Sequence, residues 1–384
     1  MKKGLSIRYF NYFHRIMITS HQTPLLVATN ILLFLLLLLF VRPSLSRVDL
    51  PIIKKRLVYL LILIFCLYSF WGADWFHYLN LFRMLKSNPI RATHLEPFYI
   101  WLINNITPNY LTFRIIIWGA SLSFLWMTLK TLDLENGVTL FFFVAGFLIW
   151  FSYSRATLAM SLMFLGAALI AQESDSNRLT RLLLGSIGLL LSVFLHKSAV
   201  VGVAIIATVI LLSTIRIRTY RTIVLLIPLF VIGMRYLFVN IGDFVSDDEY
   251  MNYVADFANK NFSEKTTQMG IGSLLQNILE KTPYFLTAYC GILIQKNRYE
   301  VPYSISCFAN ILLLLVAIST TLLFVDNFNT QTLSIRLFRF CLIPSTILLS
   351  YCWVYEINIK LIKTIMWFCI ISSSYQLLYA LYAI

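Results

Sequence analysis

The sequence predicts an all-α polytopic integral membrane protein of roughly 11–12 transmembrane helices, each needing about 20 apolar residues to cross a bilayer. Three features carry that prediction. The 384-residue chain is 59% hydrophobic and only 12% charged, a proportion that a water-soluble core cannot bury. Apolar runs of near-membrane length recur from one end to the other. Basic residues gather in short connectors between those runs, as the positive-inside rule describes for membrane chains.

Taken in order, spans are expected at 25–41, 57–72, 111–129, 138–151, 157–171, 182–195, 200–212, 222–239, 283–294, 302–325, 340–354 and 361–382. They form a single transmembrane domain over 1–384, with no stretch that reads as a soluble domain. Arg42, Arg47, Lys54, Lys55 and Arg56 fill one connector, and Arg216, Arg218 and Arg221 fill another. Lys296, Arg298, Lys360 and Lys363 occupy two more, and the rule places all of these on the cytoplasmic side. Charges spread in this way exclude a nucleic-acid partner, which requires a continuous basic patch or stripe. Lys2, Lys3, Arg8 and Arg15 are not followed by a short apolar run with a small-residue cleavage site, so a cleaved signal peptide is not expected. The six cysteines are scattered without a CxxC and read as membrane filler, not as a disulfide framework.

Two longer segments, 73–110 and 240–281, then face the extracytoplasmic side. The first reads as two amphipathic helices. Trp75, Tyr78, Leu79, Phe82 and Leu85 share one face, with His77, Asn80, Arg83 and Lys86 opposite; such a helix rests its apolar side in lipid. Thr93-His94-Leu95-Glu96 has the spacing of a capping box that opens the second, with Glu96 in its third helical position. Asp74 reads similarly as the N-cap of the first helix. In 240–281, Ser246-Asp247-Asp248-Glu249 is another capping box, followed by Tyr250, Tyr253, Val254 and Phe257 on one face. Long loops with helices of their own serve as lids or binding elements.

Arg155 is where the chemistry starts. It stands alone in Tyr153-Ser154-Arg155-Ala156-Thr157, between two apolar segments of membrane length. A cation so placed costs several kcal/mol unless it lines a watered cavity or holds an anion. Further cations fall on the same outer side: Lys197 beside His196, Arg235, and Arg336 with Arg339. Guanidinium groups converging from several helix ends suit a phosphate or diphosphate, although Arg235, Arg336 and Arg339 also read as snorkelling anchors. Asp74 and Glu96 are the acids of the first outer segment, and no carboxylate falls inside an expected span, which counts against a proton-coupled carrier. His196, at the end of an apolar helix, reads either as a packing histidine or as a base. Asp247-Asp248-Glu249 reads as a solvated helix start, and no Walker A, HExxH or GxSxG motif is present. Neither a metal nor a cofactor is expected.

The landmarks Gly72-Ala73-Asp74-Trp75-Phe76-His77-Tyr78, Glu96-Pro97-Phe98-Tyr99, Ser154-Arg155-Ala156-Thr157 and Phe194-Leu195-His196-Lys197 follow one another in order. With the Tyr250/Tyr253 lid and Arg336-Leu337-Phe338-Arg339, they resemble the EpsG-like, Wzy-type polysaccharide polymerases over roughly residues 57–345. The resemblance implies a GT-C-like, inverting membrane glycosyltransferase at the outer face of a bacterial inner membrane. Such an enzyme joins undecaprenyl-diphosphate-linked oligosaccharide repeat units into O-antigen or exopolysaccharide, beside a flippase and a chain-length regulator. It further implies that Arg155, Arg336 and Arg339 hold the diphosphate, with Lys197, Tyr78, Tyr250 and Tyr253 as additional substrate contacts. Asp74, Glu96 and His196 are the candidates for general base. Two alternatives stay open. An O-antigen ligase uses the same donor; a lipid-linked oligosaccharide flippase would show more glycine-broken helices and cations in both membrane halves.

Overall fold

The structure, a computed structural model, describes residues 74–87, 95–134, 154–173, 177–214, 271–296, 301–324 and 337–382, with isolated positions at 35, 60 and 226–227. The described residues are mostly helical, with no strand among them. In chain order the helices are α1 (Asp74–Ser87), α2 (Pro97–Asn105), α3 (Tyr110–Thr131), α4 (Ser154–Ala171) and α5 (Arg178–Leu195). They continue with α6 (Ala199–Thr214), α7 (Ile271–Lys296), α8 (Tyr303–Phe324), α9 (Leu342–Val354) and α10 (Ile359–Tyr382). Tyr110–Thr131, Arg178–Leu195, Tyr303–Thr321 and Leu337–Val354 are long and apolar enough to cross a membrane, and Arg155–Ala171 and Ala199–Leu212 are shorter apolar helices. The chain is an all-α polytopic membrane protein.

Helices coincide with the expected spans at 111–129, 157–171, 182–195, 200–212, 283–294, 302–325, 340–354 and 361–382. Those expected at 25–41, 57–72, 138–151 and 222–239 lie outside the described residues but for the isolated positions. One boundary differs: α7 starts at Ile271, inside the expected second loop. A helix meets its hydrogen bonds whether or not its first turns are apolar, so hydropathy alone places its start too late. Pro283 sits within α7, and the hydroxyl of Thr287 donates to the Pro283 carbonyl at 2.7 Å.

Lipid and protein divide the surface of α5. Leu179, Leu183, Ile187, Leu190 and Phe194 recur every three or four residues on its exposed face. Gly185, Gly188 and Ser192 are buried on the other, against α4. A Cβ at Gly166 would stand 2.7 Å from the Gly185 carbonyl oxygen, and one at Gly185 would stand 2.8 Å from that of Gly166. Small residues here let two backbones touch, the usual basis of helix association where water supplies no drive. The α4–α5 hairpin therefore sets the start of α4 beside the end of α5.

At that end, Leu158, Ala159, Leu195 and Ala199 join Phe113 and Ile117 of α3 and receive α1 and α2 through Phe82, Leu85, Leu95, Tyr99, Leu102 and Ile103. Asn80, Arg83 and Lys86 of α1 are exposed while Phe82 and Leu85 are buried, as the amphipathic spacing predicts. Phe82 and Leu85 of that face pack on protein. The Phe82 ring meets Tyr110 edge-on at 5.8 Å and Phe113 at 6.1 Å. Each large side chain buried in this way contributes about 1.5–3 kcal/mol relative to exposure in water. The larger core lies toward the other end and wraps α9, whose residues from Leu342 to Trp353 are all buried.

Candidate active site

Pro97 shapes the first part of the site. Proline suits the opening position of a helix and drives the residue before it into an extended conformation. Glu96 accordingly has φ −61° and ψ 140°, and α2 begins immediately after it. The Glu96 carbonyl accepts from the Tyr99 amide at 3.0 Å, yet the carboxylate makes no capping bond. The expected capping box, with Glu96 three residues into a helix, is thus corrected. Glu96 precedes the helix, and its side chain is free to turn toward α4 and α5.

There it meets two partners. Nη1 of Arg155 donates to Oε2 of Glu96 at 2.6 Å, and Nδ1 of His196 lies 3.0 Å from Oε1. Glu96 is 6% exposed, so one carboxylate, shielded from water, joins residues 59 and 100 positions away in sequence. Burial by itself raises the Glu96 carboxyl. The hydrogen bond with His196 and the charges of Arg155 and His196 more than offset that, holding it below its ordinary value of 4.5. An ionised carboxylate only accepts hydrogen bonds, so Nδ1 carries a proton and a neutral His196 ring keeps its lone pair at Nε2.

Each partner is held from behind. Arg155 opens α4, its guanidinium carbon 5.9 Å from the centroid of the Tyr99 ring. The Tyr99 hydroxyl donates to the Arg155 carbonyl at 3.4 Å, and Tyr99 is itself fully buried against Phe98 and Phe113. His196 ends α5 in an extended conformation, φ −160° and ψ 121°. Its amide donates to the Ser192 carbonyl at 3.0 Å, and its carbonyl accepts from Ala199 at 2.9 Å. The corner between α5 and α6 fixes where the imidazole stands.

The model of the EpsG family matches residues 52–384. The chain belongs to the EpsG family. That is a family of Wzy-type polysaccharide polymerase-like proteins, and membership agrees with the resemblance drawn from the motifs. No curated protein and no solved structure matches the chain.

Of the predicted site residues in this EpsG-family chain, the structure brings together Glu96, Arg155 and His196. Lys197 follows His196 in the corner and is exposed. Arg339 is half-buried just before α9, where the neighbouring Phe340 ring would lie 3.0 Å from a Cβ at Gly202. Met163 approaches the same point, and eight helical residues separate it from Arg155, about 12 Å along α4. Asp74 and Tyr78 belong to α1, but their side chains lie outside the described residues, as do Arg336, Tyr250 and Tyr253 altogether. No cluster of three or more metal-ligating side chains occurs among the described residues.

Sequence reasoning passed over two buried cations. Arg114 is 6% exposed in the first turns of α3, its guanidinium carbon 5.9 Å from the Tyr110 ring. As a lone charge in an apolar run, it carries the signal that singled out Arg155. Lys281 is 5% exposed, with Nζ 5.3 Å from the Phe338 ring. It escaped notice because it stood at the boundary of an expected loop, whereas α7 extends well before it.

Proposed function

We propose that the protein is an inverting polysaccharide polymerase of the bacterial inner membrane, in which His196 is the general base and Glu96 its positioning residue. The observation that carries this reading is the shared carboxylate: Glu96 pairs with Arg155 and His196 at once. Buried, ionised and occupied on both oxygens, Glu96 is a poor base. It suits a different task, holding the imidazole with its proton on Nδ1 and its Nε2 lone pair available, as carboxylates orient histidines elsewhere. Asp74 stays a second candidate on sequence grounds.

In the reaction, the hydroxyl of an acceptor repeat unit gives its proton to Nε2 of His196 as its oxygen bonds to the anomeric carbon of the donor. The bond from that carbon to the diphosphate breaks on the opposite face, the configuration inverts, and undecaprenyl diphosphate leaves with the bonding electron pair. Arg155 faces the negative charge that builds on the leaving oxygen, and fixed cations aimed at developing charge are often the largest single catalytic contribution. The undecaprenyl carrier, the outer-face location and the bilayer, flippase and chain-length-regulator partners belong to this reading through family membership.

The test is polymerisation by purified full-length protein in lipid nanodiscs supplied with undecaprenyl-diphosphate-linked repeat units. The wild type should build a ladder and release undecaprenyl diphosphate. His196→Gln should slow transfer by roughly a hundredfold or more. Transfer only onto a lipid A core acceptor would replace this reading with a ligase. Movement of the lipid across the bilayer without glycosidic bond formation would replace it with a flippase.

A further inference from the structure

Arg178 and Arg181 stand where the fold itself has no use for a cation. They open α5, three residues apart and so neighbours on its surface. The first turn holds no acid, and Asn177 before it makes no side-chain capping bond. Positive charge at that end opposes the helix dipole, which favours anions there. Arg178 is exposed, and Arg181 is half-buried. The Nε and Nη2 of Arg181 are shielded from water and have no hydrogen-bond partner among the described residues. Nor does any described carboxylate pair with either arginine. Nε and Nη2 form the edge of a guanidinium that takes two oxygens side by side. A charged edge left bare in this way favours a small outward turn of the long side chain toward an anion.

The position of the pair says which anion. Arg181 lies one turn before Gly185, where a Cβ would stand 2.6 Å from Cγ1 of Ile170 on α4. From Arg181 to His196, fifteen residues rise about 22 Å, most of a hydrocarbon layer of roughly 30 Å. The arginines therefore sit at the membrane boundary opposite the Glu96–Arg155–His196 cluster. Phe113 and Ile117 of α3 meet Leu158 and Ala159 of α4 near that cluster, so the last turn of α3 also lies at the far boundary. It carries exposed Trp126 and Lys130, with Nζ 5.1 Å from the indole ring, residue types that mark a membrane–water interface. In addition, α6 leaves the His196 corner and ends at Thr214, just before Arg216, Arg218 and Arg221, a connector that the positive-inside rule assigns to the cytoplasm. Anionic lipids give that leaflet its negative surface potential.

We infer that Arg178 and Arg181 form a site for the phosphate of an anionic phospholipid in the leaflet opposite the active site. Arg181 offers the fork, Arg178 adds a second positive charge, and the uncapped first amides of α5 face the same anion. A zwitterionic headgroup carries its own cation and no net charge, so the two arginines select lipids whose headgroup is negative overall. A lipid held there also steadies the α4–α5 hairpin, whose far end carries Arg155 and His196.

The experiment titrates detergent-solubilised full-length protein with phosphatidylglycerol and with phosphatidylcholine, and counts bound lipid by native mass spectrometry. The wild type should retain phosphatidylglycerol in preference. Arg181→Gln should weaken that binding roughly tenfold, the scale of a lost charge-assisted pair, and Arg178→Gln should weaken it severalfold. Arg181→Lys should recover part of the loss, and Arg83→Gln, an exposed arginine on α1, should change nothing. Equal retention of the two lipids by the wild type overturns the site, as does an equal loss in Arg83→Gln. Undiminished phosphatidylglycerol binding in folded Arg181→Gln overturns it as well. Displacement of the lipid by inorganic phosphate, with the same gain in melting temperature, replaces the lipid with a soluble anion and refutes the assignment. Should Arg181→Gln not fold, Arg178→Gln at its exposed position decides, since unchanged lipid retention there contradicts the site.

Discussion

Glu96→Gln keeps the length and volume of the side chain and removes its charge. In the native site the carboxylate accepts from Arg155 at 2.6 Å with side-chain exposures of 17% for the arginine and 7% for the glutamate. Breaking a fully buried pair costs about 3–5 kcal/mol. Here the arginine keeps some water and the glutamine oxygen still accepts one bond, so a loss of about 2–3 kcal/mol in stability is expected. The effect on the reaction should be larger. Once the amide oxygen faces Arg155, its NH2 group faces Nδ1 of His196 and donates, which moves the imidazole proton to Nε2 and removes the lone pair meant for the acceptor hydroxyl. An imidazole held in the wrong tautomer has cost about 10⁴ in kcat in serine proteases, and a loss approaching that size is expected. The assay is single-turnover transfer from purified lipid-linked repeat, alongside glycan ladder length in a polymerase-null strain at matched protein abundance. A Glu96→Gln protein that transfers within about threefold of wild type, well short of a general-base effect, would refute both the orienting role and the weight placed on the ion pair.

Other perturbations reach different parts of the same arrangement. Arg155→Ala should abolish polymer even at matched membrane abundance, and Arg155→Lys should recover only part of it because an ammonium lacks the planar fork; ladder gels at matched protein levels check both. Gly166→Ala places a methyl 2.7 Å from the Gly185 carbonyl oxygen and 3.1 Å from the Leu189 amide nitrogen. Backbone has to shift, so a loss of about 1–3 kcal/mol is expected, with reduced transfer as Arg155 and His196 lose register; thermal unfolding in detergent and ladder length read the two effects. Because Glu96 is held below its ordinary value of 4.5, its charge stabilises the fold above that value, and the contribution disappears as pH falls through the lowered one. Wild-type stability should therefore decline across that acid window, while Glu96→Gln, lower above the window, should show a shallower decline and converge toward the wild type below it when melting temperature is followed against pH.

Much of this protein is written in local pattern. Hydropathy marked the helices from α3 to α10 because in lipid the backbone satisfies itself by coiling, whatever its neighbours do. The apolar face of α1 was legible from helical spacing at Phe82 and Leu85. Arg155 announced itself because a charge between two apolar segments needs a reason close at hand. Partnership was not legible. Nothing in Glu96-Pro97-Phe98 says that the carboxylate spans 59 residues to Arg155 and 100 to His196, and the same letters fit a capping box equally well. That choice depends on the contact of Gly166 with Gly185, which brings the two helix ends together, and on the Phe82–Phe113–Tyr99 packing that seats α2 above them. Lys281 became visible only when α7 was seen to start before the apolar run and to turn the lysine onto Phe338. Secondary structure in a membrane follows from each segment's own need to satisfy its backbone, whereas a site made of charges follows from which helix ends meet, and only the tertiary fold decides that.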